Sequence, residues 1–314
     1  MSKHPLSAKN RIIVFAVLCV FIALCLVVFN YITDPFGALV TRENADEDLS
    51  RCGDTDSPAV ESYEKNVPIL MYHHLAEEGD GKDIISADVF EEQIKALSDA
   101  GYTAVMFSDL YDYVHSGKEL PEKSVVITFD DGYMSNYTLA MPILEKYGMR
   151  ATVFVIGVSF GRDTYKDTGV PIIPHFGASE AREMISSGIF DIQSHSYDMH
   201  QVDKLDDGII RAGITQLEDE SDEDYVSALR ADCAAMDELF VETFGRRAEV
   251  FAYPYGFKSS MGSIILRENG IFATVTTERK SAHLVQGLPQ SLFEMGRYFV
   301  TDELSGEALL ELIK

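Results

Sequence analysis

From Val67 onward the chain alternates short apolar, β-branched runs with segments of helical period, and several of the runs end in polar clusters. No other feature restricts the fold so strongly. The runs are VPILMYH, TAVMF, VVITF, ATVFVI, IFDIQS, VFAYP and IFATVT. Between them lie VFEEQIKALSDAG, NYTLAMPILEKYG, ASEAREMISSG, SDEDYVSALRADCAAMDELFVETFG and SMGSIILRENG, which end in glycine, a common helix stop. Such alternation predicts an α/β fold of parallel strands joined by crossover helices, either a doubly wound sheet or a distorted (β/α) barrel of about seven strands. In both, ligands gather at the carboxyl ends of the strands, which is where the polar clusters fall.

The run VVITF stops at Asp130-Asp131-Gly132. An Asp-Gly pair alone is a common turn. Two adjacent carboxylates at the end of a buried strand, however, repel each other and are costly to desolvate, and a nearby cation relieves both costs. The next cluster, residues 193–200, holds two of the chain's eight histidines, His195 and His200. Their i, i+5 spacing does not put two imidazoles on one helix face, so a strand end turning into a loop is expected, not an HExxH helix. Read alone, they are two surface histidines. Joined to Asp131 from another strand, they form a set of two imidazoles and one carboxylate, typical of catalytic zinc and related divalent-metal sites. The third cluster, residues 250–256, reads VFAYPYG. Pro254 fixes one φ angle and Gly256 permits close backbone approach. The cluster is either an aromatic-flanked turn or a groove wall with a backbone N–H aimed at a reacting atom.

TFDDG, then HSYDMH, then YPYG, in that order on successive strand ends, resemble the motifs of the polysaccharide deacetylases of carbohydrate esterase family 4. The opening VPILMYHHL, the following FEEQIKALSDAGYTAV and the i, i+5 histidine spacing are most similar to the biofilm poly-N-acetylglucosamine deacetylase branch. The likeness runs from about Val67 to Tyr298 and makes the distorted (β/α) barrel the expected fold. It implies a metal-dependent hydrolase that removes N-acetyl groups from an extracellular N-acetylglucosamine polysaccharide, biofilm polymer or peptidoglycan, and releases acetate. It implies Asp131, His195 and His200 as metal ligands, Asp130 as general base and the Tyr255 backbone N–H as oxyanion donor. Tyr133, Tyr253 and Pro254 are expected along the substrate, and Arg297 either there or behind the site. Zn2+ is the expected ion, although Co2+ and Ni2+ accept the same nitrogen and oxygen donors.

Two positions depart from the family pattern. The arginine usually found two residues before the proline of the third motif is Ala252 here, so other groups must orient Asp130. No clear Leu-x-x-His element follows Gly256 to supply the acid. His73 ends the first strand, which in a closed barrel lies beside the last, and it is the expected acid; His74 and His283 rank behind it. These departures leave open an alternative: a membrane-tethered carbohydrate-binding protein with a vestigial site. A zinc peptidase or amidase would share the chemistry, but the sequence has no HExxH helix for it.

Ahead of this body, residues 12–32 are an almost unbroken apolar run, with Asn30 its only strongly polar residue. The length matches the roughly 20 helical residues that cross a bilayer core. A transmembrane signal-anchor helix is therefore expected, since a cleaved signal has a shorter core and a small-residue cleavage site. Lys3, Lys9 and Arg11 precede the run, and Asp34, Glu43, Asp46, Glu47 and Asp48 follow it. That asymmetry leaves residues 1–11 in the cytoplasm and exports the remainder. Residues 33–66 read as an acidic stalk and residues 67–314 as the catalytic domain of a single-pass cell-membrane protein. Its partners are then the polysaccharide and the lipid bilayer, with no obligate protein partner evident. A net charge of −25 argues against binding nucleic-acid phosphates. Trp is absent, so sugar stacking would fall to Tyr or Phe. Outside the apolar run only Cys52 and Cys233 remain, which allows one disulfide. Residues 201–224 are strongly acidic and read as a solvated surface insertion.

Overall fold

The computed structural model describes residues 63–201, 205–206 and 210–314. The expected membrane helix, most of the stalk and Cys52 lie outside these residues, so the Cys52–Cys233 pairing does too. Cys233 itself is buried and has no disulfide partner among the described residues. Among the described residues no helix is long and apolar enough to cross a membrane.

The described residues open with β1 (Glu64–Val67), β2 (Ile69–Tyr72), β3 (His74–Ala76) and β4 (Ile84–Ser86), then α1 (Ala87–Asp99). β5 (Thr103–Ala104), α2 (Phe107–Ser116), β6 (Ser124–Phe129), α3 (Met141–Lys146) and β7 (Ala151–Val155) follow. Next come α4 (Ala178–Ser186), β8 (Phe190–Ser194), α5 (Asp222–Phe244), β9 (Val250–Ala252) and α6 (Ser260–Glu268). The chain ends with β10 (Ala273–Val275), β11 (Ala282–Val285), β12 (Tyr298–Phe299) and α7 (Gly306–Leu312).

Seven strands form one parallel sheet in the order β10-β9-β8-β7-β6-β2-β12, with β5 added beside the first two residues of β6. The strands are parallel, as the strand–helix alternation predicts, and the sheet curls into a half-barrel. A single parallel bridge from Val275 to Met295 links the β10 edge to the segment that leads into β12. β6 and β7 are buried at every position, as expected of parallel strands covered on both faces. Alternate residues feed two core layers. Leu70, Ile127, Val153, Ile192 and Phe251 pack in one layer with residues of α1, α4, α5 and α6. Ile69, Val126, Phe154, Val250 and Val275 pack in the other with residues of α2 and the segment 282–295. Each such side chain contributes roughly 1.5–3 kcal/mol on full burial.

Local chemistry sets the helix limits. Ser86 Oγ accepts from the Val89 N–H to cap α1, and Ser221 Oγ accepts from the Asp224 N–H to cap α5. Asp222, Glu223 and Asp224 then complement the positive end of α5, and Gly245, at φ 69°, stops it.

Three expectations need correction. The run TAVMF is strand only at Thr103–Ala104, because Phe107, Leu110, Tyr113 and Val114 form the buried face of α2. The body also starts before Val67, since Glu64–Val67 pairs with β11 and draws the end of the expected stalk into the fold. Residues 201–224 are not wholly solvated: Arg211, 8% exposed, bonds Glu220 through both Nη atoms, and Ile214 is fully buried.

Candidate active site

Three strand ends deliver the polar clusters to one place. Phe129 ends β6 and is followed by Asp130 and Asp131; Asp131 lies at φ 70° and Gly132 at φ 86°. The turn is tight: a Cβ on Gly132 would sit 2.9 Å from Val155 Cγ1. His195 follows β8, and Ser196 at φ 70° reverses the chain so that it reaches His200 five residues on. Every backbone N–H from His195 to Met199 has a named acceptor. These are Val155 O, Ser194 Oγ, Asp232 Oδ2, Asp232 Oδ1 and Ser196 Oγ, in that order. Ser196 O and Tyr197 O accept from the Gly157 and Val158 N–H groups. The approach is so close that a Cβ on Gly157 would lie 2.3 Å from Tyr197 Cδ2.

This architecture brings Asp131, His195 and His200 together, their ligand atoms all within 4.8 Å of one another. Asp131 Oδ1 lies 3.7 Å from His195 Nε2 and 3.6 Å from His200 Nε2. His195 Nδ1 donates to Ala252 O at 2.8 Å. The Tyr255 hydroxyl donates to Gln201 O at 2.9 Å and therefore accepts from His200 Nδ1 at 3.2 Å. With Nδ1 the donor in each ring, Nε2 is the nitrogen turned towards the other ring and towards a carboxylate oxygen. Burial pushes His195 down to about 4, against the nearby Asp130 charge, so its ring is neutral at physiological pH. Asp131 Oδ1 is buried and has no hydrogen-bond partner. Three acceptors facing each other across a gap of this size repel unless a cation lies between them, so the residues fit a divalent metal. The Asp131 charge, then burial, pushes the Tyr133 phenol upward, so it remains protonated.

Asp130 borders this set, its Oδ2 3.9 Å from His195 Nε2, but is held by a different partner. Arg297 Nη1 and Nη2 donate to its Oδ1 and Oδ2, both at 2.7 Å. The guanidinium is fully buried and is fixed in turn by Nε to Thr276 O at 3.0 Å and Nη1 to Thr128 Oγ1 at 3.2 Å. Burial alone would raise the Asp130 carboxyl, but the Arg297 charge, aided by His195, holds it well below the ordinary carboxylate range. The arginine absent at Ala252 is thus supplied from the far end of the chain, where Arg297 immediately precedes β12.

His73 follows β2, with Nε2 4.0 Å from Asp130 Oδ2 and its Nδ1 buried without a partner. A cavity of about 440 Å³ joins His73, Asp130, Asp131, His195, His200 and Tyr255. Tyr133 and His74 also border it, His74 with its Nδ1 bonded to Ser135 Oγ at 2.8 Å. The remaining expected residues lie elsewhere. Tyr253 is fully buried; its ring packs on Phe251 and its hydroxyl bonds Ser263 Oγ at 3.0 Å. Strand alternation explains this, because Tyr253 shares the face of Phe251 and not that of Ala252. Pro254 is buried in the turn, and Arg297 is sealed behind Asp130, so neither offers a surface to substrate. His283 lies on β11, exposed and paired with Asn66, and does not line the cavity. Thr277 and Ile173 do line it without having been anticipated, as neither sits in a motif.

Residues 117–271 match the family described as polysaccharide deacetylase. YxkH of Bacillus subtilis, which carries a polysaccharide deacetylase name, is 29% identical over 275 residues, 87% of this chain and 83% of that protein. The poly-beta-1,6-N-acetyl-D-glucosamine N-deacetylase of Staphylococcus aureus is 24% identical over 243 residues, 73% of this chain and 78% of that protein. Among solved structures, IcaB from Ammonifex degensii superposes with a TM-score of 0.64 at 26% identity, covering 79% of this chain and 97% of that one.

Proposed function

We propose, from the premise that this chain carries a polysaccharide deacetylase domain, that it is a metal-dependent hydrolase that removes N-acetyl groups from an N-acetylglucosamine polymer. The observation that carries the reading is the division of the two adjacent aspartates: Asp131 faces two imidazoles, while Asp130 is clamped by Arg297. Asp131, His195 and His200 would hold the cation, which would supply Lewis acidity towards water and the acetamide carbonyl. Asp130, ionised and fixed in orientation, takes the proton of the attacking water. The Tyr255 backbone N–H, on the rim of the cavity, is the donor for charge developing on the carbonyl oxygen. His73 delivers a proton to the departing sugar nitrogen, being the imidazole of the cavity nearest to Asp130 outside the cation set.

A polymer suits the shape. A second cavity of about 230 Å³, walled by Ile156, Ile172 and His175, shares Asp131, Tyr133, Ile173 and His200 with the first. The relative from Staphylococcus aureus favours poly-β-1,6-N-acetylglucosamine as the substrate, with peptidoglycan second. Zn2+ is the ion of choice for the donor set. The apolar run at residues 12–32, with basic residues before it and acidic ones after, supports a membrane-tethered body facing outward. A binding module has no use for a buried, clamped Asp130, which disfavours the vestigial alternative. The test is acetate release from acetylated glucosamine oligomers with and without chelator, on wild-type protein and Asp130→Asn. Loss of turnover with metal content retained is expected for the variant. Turnover insensitive to chelator, or metal lost with Asp130, overturns the assignment.

A further inference from the structure

We propose that Asp232 is a positioning residue for the cation site, holding the peptide between His195 and His200 so that both Nε2 atoms face Asp131 Oδ1. The inference rests on reading those three residues as a metal site. Asp232 lies outside the cleft, on α5, where the buried face also comprises Tyr225, Leu229, Cys233, Met236 and Phe240. It is the one charged residue on that apolar stripe, and an aliphatic side chain there would serve the core better. Burial pushes its carboxyl up to about 6 even though two N–H groups oppose the shift. Its value must therefore lie in what it bonds.

It bonds the Tyr197 N–H through Oδ2 at 2.9 Å and the Asp198 N–H through Oδ1 at 2.7 Å. Of the five N–H groups from His195 to Met199, the other three are satisfied by the loop itself, by the end of β8 or by the neighbouring strand β7. Only these two reach across to a helix. Consecutive N–H groups aimed at one point form an anion-binding concavity, which the left-handed Ser196 just before them makes accessible. From the other side Lys166 Nζ grips the Asp198 carboxylate at 2.7 Å. The two midpoint residues of the histidine loop are thus held from below through their backbone and from above through one side chain. Because His195 is already fixed by β8 and by Ala252 O, release of the midpoint would move His200 relative to the other two ligand atoms.

The test uses Asp232→Asn and Asp232→Ala, with Asp237→Asn as control. Asp237 lies on the same helix but bonds Asn269 and Arg247 and not the loop. The dissociation constant for Zn2+ is measured by chelator competition, and Tm is measured with and without Zn2+. Asp232→Ala should weaken binding about 10–100-fold, the range for groups that orient metal ligands. Asp232→Asn, which keeps one acceptor but turns an N–H donor towards the second backbone N–H, should fall between wild type and Asp232→Ala. Asp237→Asn should stay within about threefold of wild type. The rise in Tm produced by Zn2+ should shrink in step with affinity. If the Asp232 variants lose the same Tm with and without Zn2+ while affinity stays at the wild-type value, Asp232 is only a structural group and the proposal fails. If Asp232→Ala does not fold, Asp232→Asn decides the matter. Failure of the wild-type protein itself to bind Zn2+, Co2+ or Ni2+ would overturn the metal reading, and this inference with it.

Discussion

Replacing Arg297 with Met would leave the Asp130 carboxylate, 2% exposed, without its two strongest partners. Breaking a buried ion pair by removing one member costs about 3–5 kcal/mol, because the survivor is stranded in low dielectric. At about 2–4 °C per kcal/mol, usual for a unit the size of residues 61–314, Tm should fall by roughly 6–20 °C. Asp130→Asn should cost a comparable amount for the opposite reason: a fully buried guanidinium loses its counter-charge. The double variant Arg297→Met, Asp130→Asn removes both charges at once. Its penalty should therefore be smaller than the sum of the single penalties by at least about 2 kcal/mol. Urea unfolding of the metal-free protein and its three variants measures this coupling directly and does not depend on activity. Additivity within about 0.5 kcal/mol would refute the claim that Arg297 and Asp130 act as one unit. A second arm uses Arg297→Lys, which keeps the charge but cannot bond both carboxylate oxygens in the same plane. Losing one charge-assisted bond, worth about 1.5–3 kcal/mol, should lower kcat/KM for acetate release by about 10–150-fold.

His73→Asn should lower kcat by about 10²–10⁴-fold while leaving metal content unchanged, and loss of metal would contradict its separation from the cation set. Gly157→Ala should destabilise the protein by about 1–3 kcal/mol and weaken metal retention, because its Cβ would strike Tyr197 in the histidine loop; an unchanged Tm and metal content would contradict that account. The folded His195, pushed down to about 4, binds protons less readily than the unfolded chain at about 6.5. Stability of the metal-free protein is therefore full above about pH 6.5 and is lost, by up to about 3 kcal/mol, as pH falls towards 4. Asp232, raised to about 6, has the opposite sign: it favours the folded state below about pH 4 and ceases to do so as pH rises through 6. Acid titration of Asp232→Asn should thus show a steeper loss than wild type, and a shallower one would refute the assignment.

Much of this was legible in the residues because it depends on short-range pattern. Strand alternation placed the parallel sheet, and the polar strand ends placed Asp130, Asp131, His195 and His200 in one cleft. What was missed depends on contacts that no local pattern encodes. Arg297 reaches Asp130 across 167 residues, and only the position of β12 beside β2 makes that contact. Other misses were readable. The period of Phe107, Leu110, Tyr113 and Val114 signals α2, and an aspartate on the apolar stripe of α5 signals that Asp232 has a partner. Period-two alternation along β9 would have sent Tyr253 into the core with Phe251.

Asp131, Ser196 and Tyr255 all sit in left-handed backbone conformations that side-chain-bearing residues avoid, one at each strand end that builds the cleft. The same three turns aim the carboxylate, the histidine loop and the amide of the rim. Glycine at Ser196 or Tyr255 would relax the chain, so a campaign to harden this enzyme against heat would be drawn to those turns first. Hardier variants gained there would give up turnover for endurance.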